Sequence, residues 1–159
     1  MAKLKFDGLD EYVRQLEKLS DMSRECIGRA VYEGAGVIAN AVRDAIEAIP
    51  IDERFVKDGQ MLNGISRLQK DGLLEGFGIA PLQNDNGYMH VKLGFAGYNG
   101  VRSNQFPDGQ PNSMIARSVN SGTSFRARIP FVDNTVRQKK NECEEKMKET
   151  FETELRKVT

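Results

Sequence analysis

This chain has no tryptophan, one histidine, two cysteines and no net charge, and each shortage removes a class of function. Without tryptophan, and with aromatic residues at 8%, a platform for stacking the bases of single-stranded nucleic acid is unsupported. His90 has no companion, and Cys26 and Cys143 lie far apart outside any Cys-x-x-Cys pairing. A Cys/His zinc site therefore has too few ligands, and both cysteines read as buried cytosolic thiols. Twenty-three basic residues balance twenty-three acidic ones, so no net field draws the chain to nucleic acid or to a membrane. No apolar run approaches the ~18–20 residues of a membrane span. The opening Met1-Ala2-Lys3-Leu4-Lys5-Phe6 lacks the apolar core of a signal peptide, which points to a cytoplasmic site of folding.

What remains is a chain of 159 residues, one domain in size, able to bury roughly 68–70% of its unfolded surface. Leu9, Tyr12, Val13, Leu16 and Leu19 recur at helical spacing after an extended lead at Phe6 and a turn at Asp7-Gly8. Ser20-Asp21 or Ser23 then offers an N-cap for a second helix, which Pro50 stops. That helix carries Ile27, Ala30, Val31, Ala35, Ile38, Val42, Ile46 and Ile49 on one stripe. Its small residues Gly34, Ala35 and Gly36 leave room for another element to approach closely. Asp58-Gly59, Asn63-Gly64, Asp71-Gly72 and Asn86-Gly87 punctuate the next stretch, around a short helix from Ile65 to Phe77.

Tyr88 to Phe95 alternates as a single strand, with Met89, Val91, Leu93 and Phe95 on one face and His90 on the other, toward solvent or a partner. Gly97 to Pro111 reads as a long loop of the kind that serves a function or orders on a neighbour. A short helix from Pro111 to Asn120 breaks at Gly122, and Phe125 to Ile129 reads as a second strand. Pro130 opens a last helix whose stripe is Val132, Val136, Cys143, Met147, Phe151, Leu155 and Val158. These elements predict an α+β fold: long N- and C-terminal helices on a small antiparallel sheet. The whole forms one domain over residues 1–159, with flexible loops near 51–64 and 97–111.

No reacting constellation accompanies them. Gly94, Gly97 and Gly100 match neither a dinucleotide fingerprint nor a P-loop. Ser118 and Ser121 sit in no nucleophile elbow, Asp52-Glu53 has no converging partner, and His90 has neither nucleophile nor acid beside it. The expectation is a non-enzyme without metal or cofactor. Between Ala96 and Pro130, however, Arg102, Arg117, Arg126 and Arg128 face one acid, Asp108, a local excess of plus three (four minus one). With Gly122-Thr123 and Pro130-Phe131 separating two packing elements, the candidate contact set is Arg102, Arg117, Gly122, Thr123, Arg126, Arg128 and Phe131. A small nucleic-acid-binding protein using Arg117, Arg126 and Arg128 is the alternative reading of the same patch.

In order along the chain, several segments resemble one family. They begin with Phe6-Asp7-Gly8-Leu9-Asp10-Glu11-Tyr12, followed by Ala30-Val31-Tyr32-Glu33-Gly34-Ala35 leading to Pro50. Gly72 to Pro81 and Asn86-Gly87-Tyr88 to Tyr98-Asn99 come next, then Ile115 to Thr123 with Pro130-Phe131 opening the last helix. Together they span nearly the whole chain and look like the head–tail joining or tail-completion proteins of long-tailed bacteriophages, the gene-ten-like minor tail components of lambdoid-type siphophages. Two departures stand out. Asn120-Ser121 precedes Gly122-Thr123 where many members carry an acid and an aromatic, and a longer Ile51–Asn63 segment replaces a short link after the first proline. The resemblance implies a virion protein of the phage neck, a hexameric ring of copies of itself between the head connector or stopper and the tail tube. Double-stranded DNA would pass through its lumen, and the arginines would face that DNA or the acids of an adjacent subunit.

Overall fold

The computed structural model describes residues 9–55 and 59–158; the expected lead through Phe6 and the turn at Asp7-Gly8 lie outside them. Helix α1 runs unbroken over Leu9–Glu47, and α4 over Phe131–Val158. At ~1.5 Å per residue these are rods of about 58 and 42 Å. Arg29 of α1 bonds Glu154, whereas Gly34 one turn further on faces Met147 and Cys143, so the two helices run antiparallel. Gly34 sits where a Cβ would press into the Met147 side chain, and its lack of one allows the close approach. Nothing lies within 4 Å of a Cβ at Gly36, so only the first of the two expected glycines serves that purpose.

The break expected at Ser20–Ser23 is absent. Serine and aspartate cost only a few tenths of a kcal/mol each inside a helix, and the apolar stripe continues through them without a change of phase. Two shorter helices complete the α-layer. Helix α2, Arg67–Gly76, starts with a reciprocal cap in which Ser66 Oγ accepts from Gln69 N at 3.2 Å and Gln69 Oε1 accepts from Ser66 N at 2.9 Å. Helix α3, Asn112–Ser121, follows Pro111 and stops before Gly122.

The β-structure differs from expectation in both partner and continuity. Tyr88–Phe95 is not one strand but β3, Tyr88–His90, and β4, Leu93–Phe95. Strand β1, Phe77–Ile79, pairs antiparallel with β4, and β2, Gln83–Asp85, pairs antiparallel with β3 across the Asn86-Gly87 turn. Both turn residues have positive φ (53° and 92°), the two-residue hairpin geometry. The ribbon is thus one long hairpin interrupted in the middle, where Pro81 has no N–H to give to the ladder. Phe125–Ile129, expected in the sheet, instead bridges the loop before α2 through the Leu62–Arg126 pair. The outer half of the ribbon lies along α1, with Leu82 and Met89 over Gly28.

The core gathers at the end where α1 finishes and α4 begins. Val42, Ile46 and Ile49 meet Ile65, Leu73, Phe77, Ile115, Val119 and Phe131 there, all buried. The molecule is therefore a head of short elements on a two-helix stalk. Along α4 the buried positions in the first turns are Phe131 and Thr135, whereas the expected Val136 remains exposed.

Candidate functional site

The stretch Ser118–Val136 forms a joint whose parts are held by backbone. At Gly122 the φ is +77°, its N–H donates to Ser118 O at 2.9 Å, and a Cβ would lie 3.0–3.3 Å from Arg128. Both the left-handed backbone and the crowding select glycine. Thr123 N donates to Arg126 O at 3.0 Å, and Ile129 N then donates to Val119 O at 2.9 Å, which lays 125–129 back along α3. The start of α4 is capped from a distance: Asn120 Oδ1 accepts from Val132 N at 3.1 Å and Asp133 N at 3.2 Å.

The seven residues expected as contacts divide into three groups. Arg117, Gly122 and Thr123 come together around a shallow hollow of about 430 Å³, with Met114, Ser118 and Ser121. Arg128 is exposed but engaged, its Nε donating to Asn120 O at 3.2 Å and its Nη2 standing 3.6 Å from Asp133. Arg102 is exposed in the 97–111 loop, apart from the others, and pairs with none of the described residues. Arg126 and Phe131 were expected at a contact surface, and the fold uses both internally. Arg126 is 4% exposed, its Nη1 donates to Gly64 O at 3.1 Å and its guanidinium lies over the Phe125 ring at 5.8 Å. Burial pushes its pKa down, and the Asp52 charge opposes that shift. Phe131 is 5% exposed and meets Phe95 edge-on at 6.2 Å. His90, expected to face outward, is half-buried, with Nε2 3.0 Å from Gln83 Oε1 on the paired strand.

Two clamps escaped the sequence reading. Asp52 accepts from Arg54 Nε at 2.8 Å, Arg54 Nη2 at 2.7 Å and Asn63 N at 2.9 Å, closing the base of the 51–64 loop. Its carboxyl is held well below the usual range, first by the Arg54 side chain and then by the Asn63 amide. Asn99 closes the other loop: Oδ1 accepts from Val101 N at 2.9 Å and Gln110 N at 3.1 Å, and Nδ2 donates to Gln110 Oε1 at 3.1 Å. Gln69 of α2 donates to the same Gln110 oxygen at 3.0 Å, tying the 97–111 loop to the head. The signal available for both was an Asn or Asp two residues before a donor amide, the Asx-turn pattern.

Among the described residues, concave surfaces lie on each flank of the α1/α4 seam. Between α1, α4 and the ribbon lies a cleft of about 550 Å³ containing Tyr32, Leu82, Met89 and Lys146 with the Arg29–Glu154 pair. Lys157 and then Arg29 hold the Glu154 carboxyl below its ordinary range. On the other flank, Ile27, Ala30, Val31, Met147 and Phe151 line an open apolar groove of about 350 Å³, with Lys148 at its edge. Among the described residues no group of three or more His, Cys, Asp or Glu is placed to hold a metal ion, and no helix is long and apolar enough to cross a membrane. Comparison with known protein families, curated proteins and solved structures finds no match.

Proposed function

We propose that this chain is a structural protein of the bacteriophage neck that assembles with copies of itself into a ring joining tail to head, without catalytic activity. The observation that carries the reading is how many large apolar side chains are exposed, Tyr32, Leu68, Tyr88 and Tyr98 among them, and that they include both ends of the molecule. Leu16 and Leu19 stand out at one end of the stalk, at 47% and 53%, and Phe55, Met61 and Phe125 at the other, with Phe55 at 93%. Large apolar side chains left bare at two separated ends suit a head-to-tail contact, which uses different surfaces on its two sides and closes into a ring when the rotation allows. The ordered segments from Gly72 to Phe131 that resemble tail-completion proteins favour the same reading, as does the neutral charge. Arg102 and Arg117 are the arginines left to face a lumen or a neighbour.

Native mass spectrometry and negative-stain images of the full chain, alone and with tail-tube protein, test this. Closed rings are the expected result; a strict monomer that ignores the tube overturns it. A DNA mobility shift across salt checks the alternative. Tight retardation by the isolated monomer, falling steeply with salt, would favour a nucleic-acid-binding protein instead.

A further inference from the structure

We infer that Asn86, at the tip of the β2/β3 hairpin, is a site of spontaneous modification, where the side-chain amide is lost and aspartate and isoaspartate take its place. The chemistry needs water alone. In an Asn-Gly pair the glycine amide nitrogen, after giving its proton to hydroxide, attacks the asparagine Cγ. The N–Cγ bond forms, the Cγ–Nδ2 bond breaks, and Nδ2 leaves as ammonia with a proton taken from water. A five-membered imide remains, and water opens it. Breaking the new N–Cγ bond gives aspartate. Breaking instead the bond from that nitrogen to the main-chain carbonyl carbon routes the backbone through the side chain, as isoaspartate. Glycine favours the attack because it has no Cβ to hinder its nitrogen and its backbone is free to swing toward Cγ.

The chain has three Asn-Gly pairs, Asn63-Gly64, Asn86-Gly87 and Asn99-Gly100, and the fold leaves one of them free to react. Asn63 is exposed, but the nitrogen that must move is held in place. Asn63 N donates to Asp52 Oδ2 at 2.9 Å and Ile65 N to Pro50 O at 3.0 Å. Gly64 between them is buried so closely on Pro50 that a Cβ there would run into its carbonyl oxygen. Asn99 is 6% exposed, its Oδ1 accepts from Val101 N and Gln110 N, and the nitrogen that would depart, Nδ2, is bonded to Gln110 Oε1 at 3.1 Å. Asn86 has none of these restraints. It is exposed, its side chain is bonded to none of the described residues, and a Cβ at Gly87 would meet nothing within 4 Å. Gly87 N donates to Asn84 Oδ1 at 2.8 Å, a tie to another exposed side chain of the same hairpin. Ring closure requires the turn to open. The flanking strands are three residues each, with β2 exposed throughout, and a pairing so short opens at little cost. Conversion adds a carboxylate beside Asp85, whose own carboxylate lies 3.6 Å from His90.

Peptide-resolved mass spectrometry of the full chain, incubated folded at neutral and at mildly alkaline pH, reads conversion at each pair as the mass gain of amide to acid. Electron-transfer fragmentation separates isoaspartate from aspartate. Gain is expected at Asn86 first and faster at the higher pH. It is expected to run at least about tenfold faster than at Asn63 or Asn99, the ratio that local protection of ~1.4 kcal/mol produces. In urea, with the fold removed, the three rates are expected to converge. Asn86→Gln, whose extra methylene would require a six-membered ring, is expected to abolish the gain in that peptide and leave the other two unchanged, with circular dichroism as the check on folding. Equal rates at the three pairs in the folded chain, or gain at Asn63 or Asn99 ahead of Asn86, overturns the assignment. So does a folded chain that stays unconverted at Asn86 while the urea-treated chain converts at all three.

Discussion

At the scale of single residues, Phe131 joins the start of α4 to the core: its ring meets Phe95 edge-on and is almost fully covered. Truncation to alanine removes that ring from the core cluster, so Phe131→Ala is expected to lower unfolding free energy by about 3–5 kcal/mol, read from denaturant titration. Asp52 acts through its charge. Because the folded carboxyl is held below its ordinary pKa by Arg54 and the Asn63 amide, its contribution is present above about pH 4 and is lost as the pH falls further. The melting temperature is therefore expected to fall on acidification from about pH 5 to 3, and Asp52→Asn to start lower at neutral pH and fall less steeply. An Asp52→Asn variant whose acid slope matched the unaltered chain would remove Asp52 from the account. Arg126 shows what a local reading misses. Nothing in Ser124-Phe125-Arg126 marks it as internal, since its acceptor, Gly64 O, belongs to a loop 62 residues earlier.

At the scale of elements, Gly34 and Gly36 of α1 make opposite predictions. Gly34→Ala drives a methyl group into Met147 and Cys143 and is expected to cost about 1–3 kcal/mol by overpacking, despite alanine's better helix propensity. Gly36→Ala meets open space and is expected to gain about 0.5–1 kcal/mol. Both are read as shifts in the urea midpoint, and equal shifts would contradict the close packing of α1 on α4. The ends of α3 and α4 were legible because they are written in local chemistry, Gly122 with its positive φ and Pro130 before the first turn. The β-ribbon was legible only on one leg. Tyr88–Phe95 alternates, but its partners Phe77–Ile79 and Gln83–Asp85 are three residues each, too short to show a period. The apparent break in α1 was misread for the converse reason. Ser20 and Ser23 are cap residues by type, yet the packing stripe runs through them.

At the scale of the whole molecule, the α+β class and the two long flanking helices followed from periodicity, whereas the division into head and stalk did not. That division depends on α1 meeting α4 at a particular level, and one sequence carries no record of which residue faces which. The proposed self-assembly draws on exposed apolar surface in a chain of zero net charge. Raising salt from about 0.05 to 0.5 M screens exposed charges and leaves apolar burial intact or strengthened. Assembly is therefore expected to persist or increase over that range in light scattering. Dissociation on adding salt would point to ion pairs as the contact.

The pairing of Arg29 with Glu154 spans 125 residues of chain. A ribosome adding roughly 5–20 residues per second needs about 6–25 s to make that span. Through that interval α1 is complete as sequence but has no α4 to cover its stripe. A nascent or truncated chain thus presents the sticky side of the stalk before its intended cover exists.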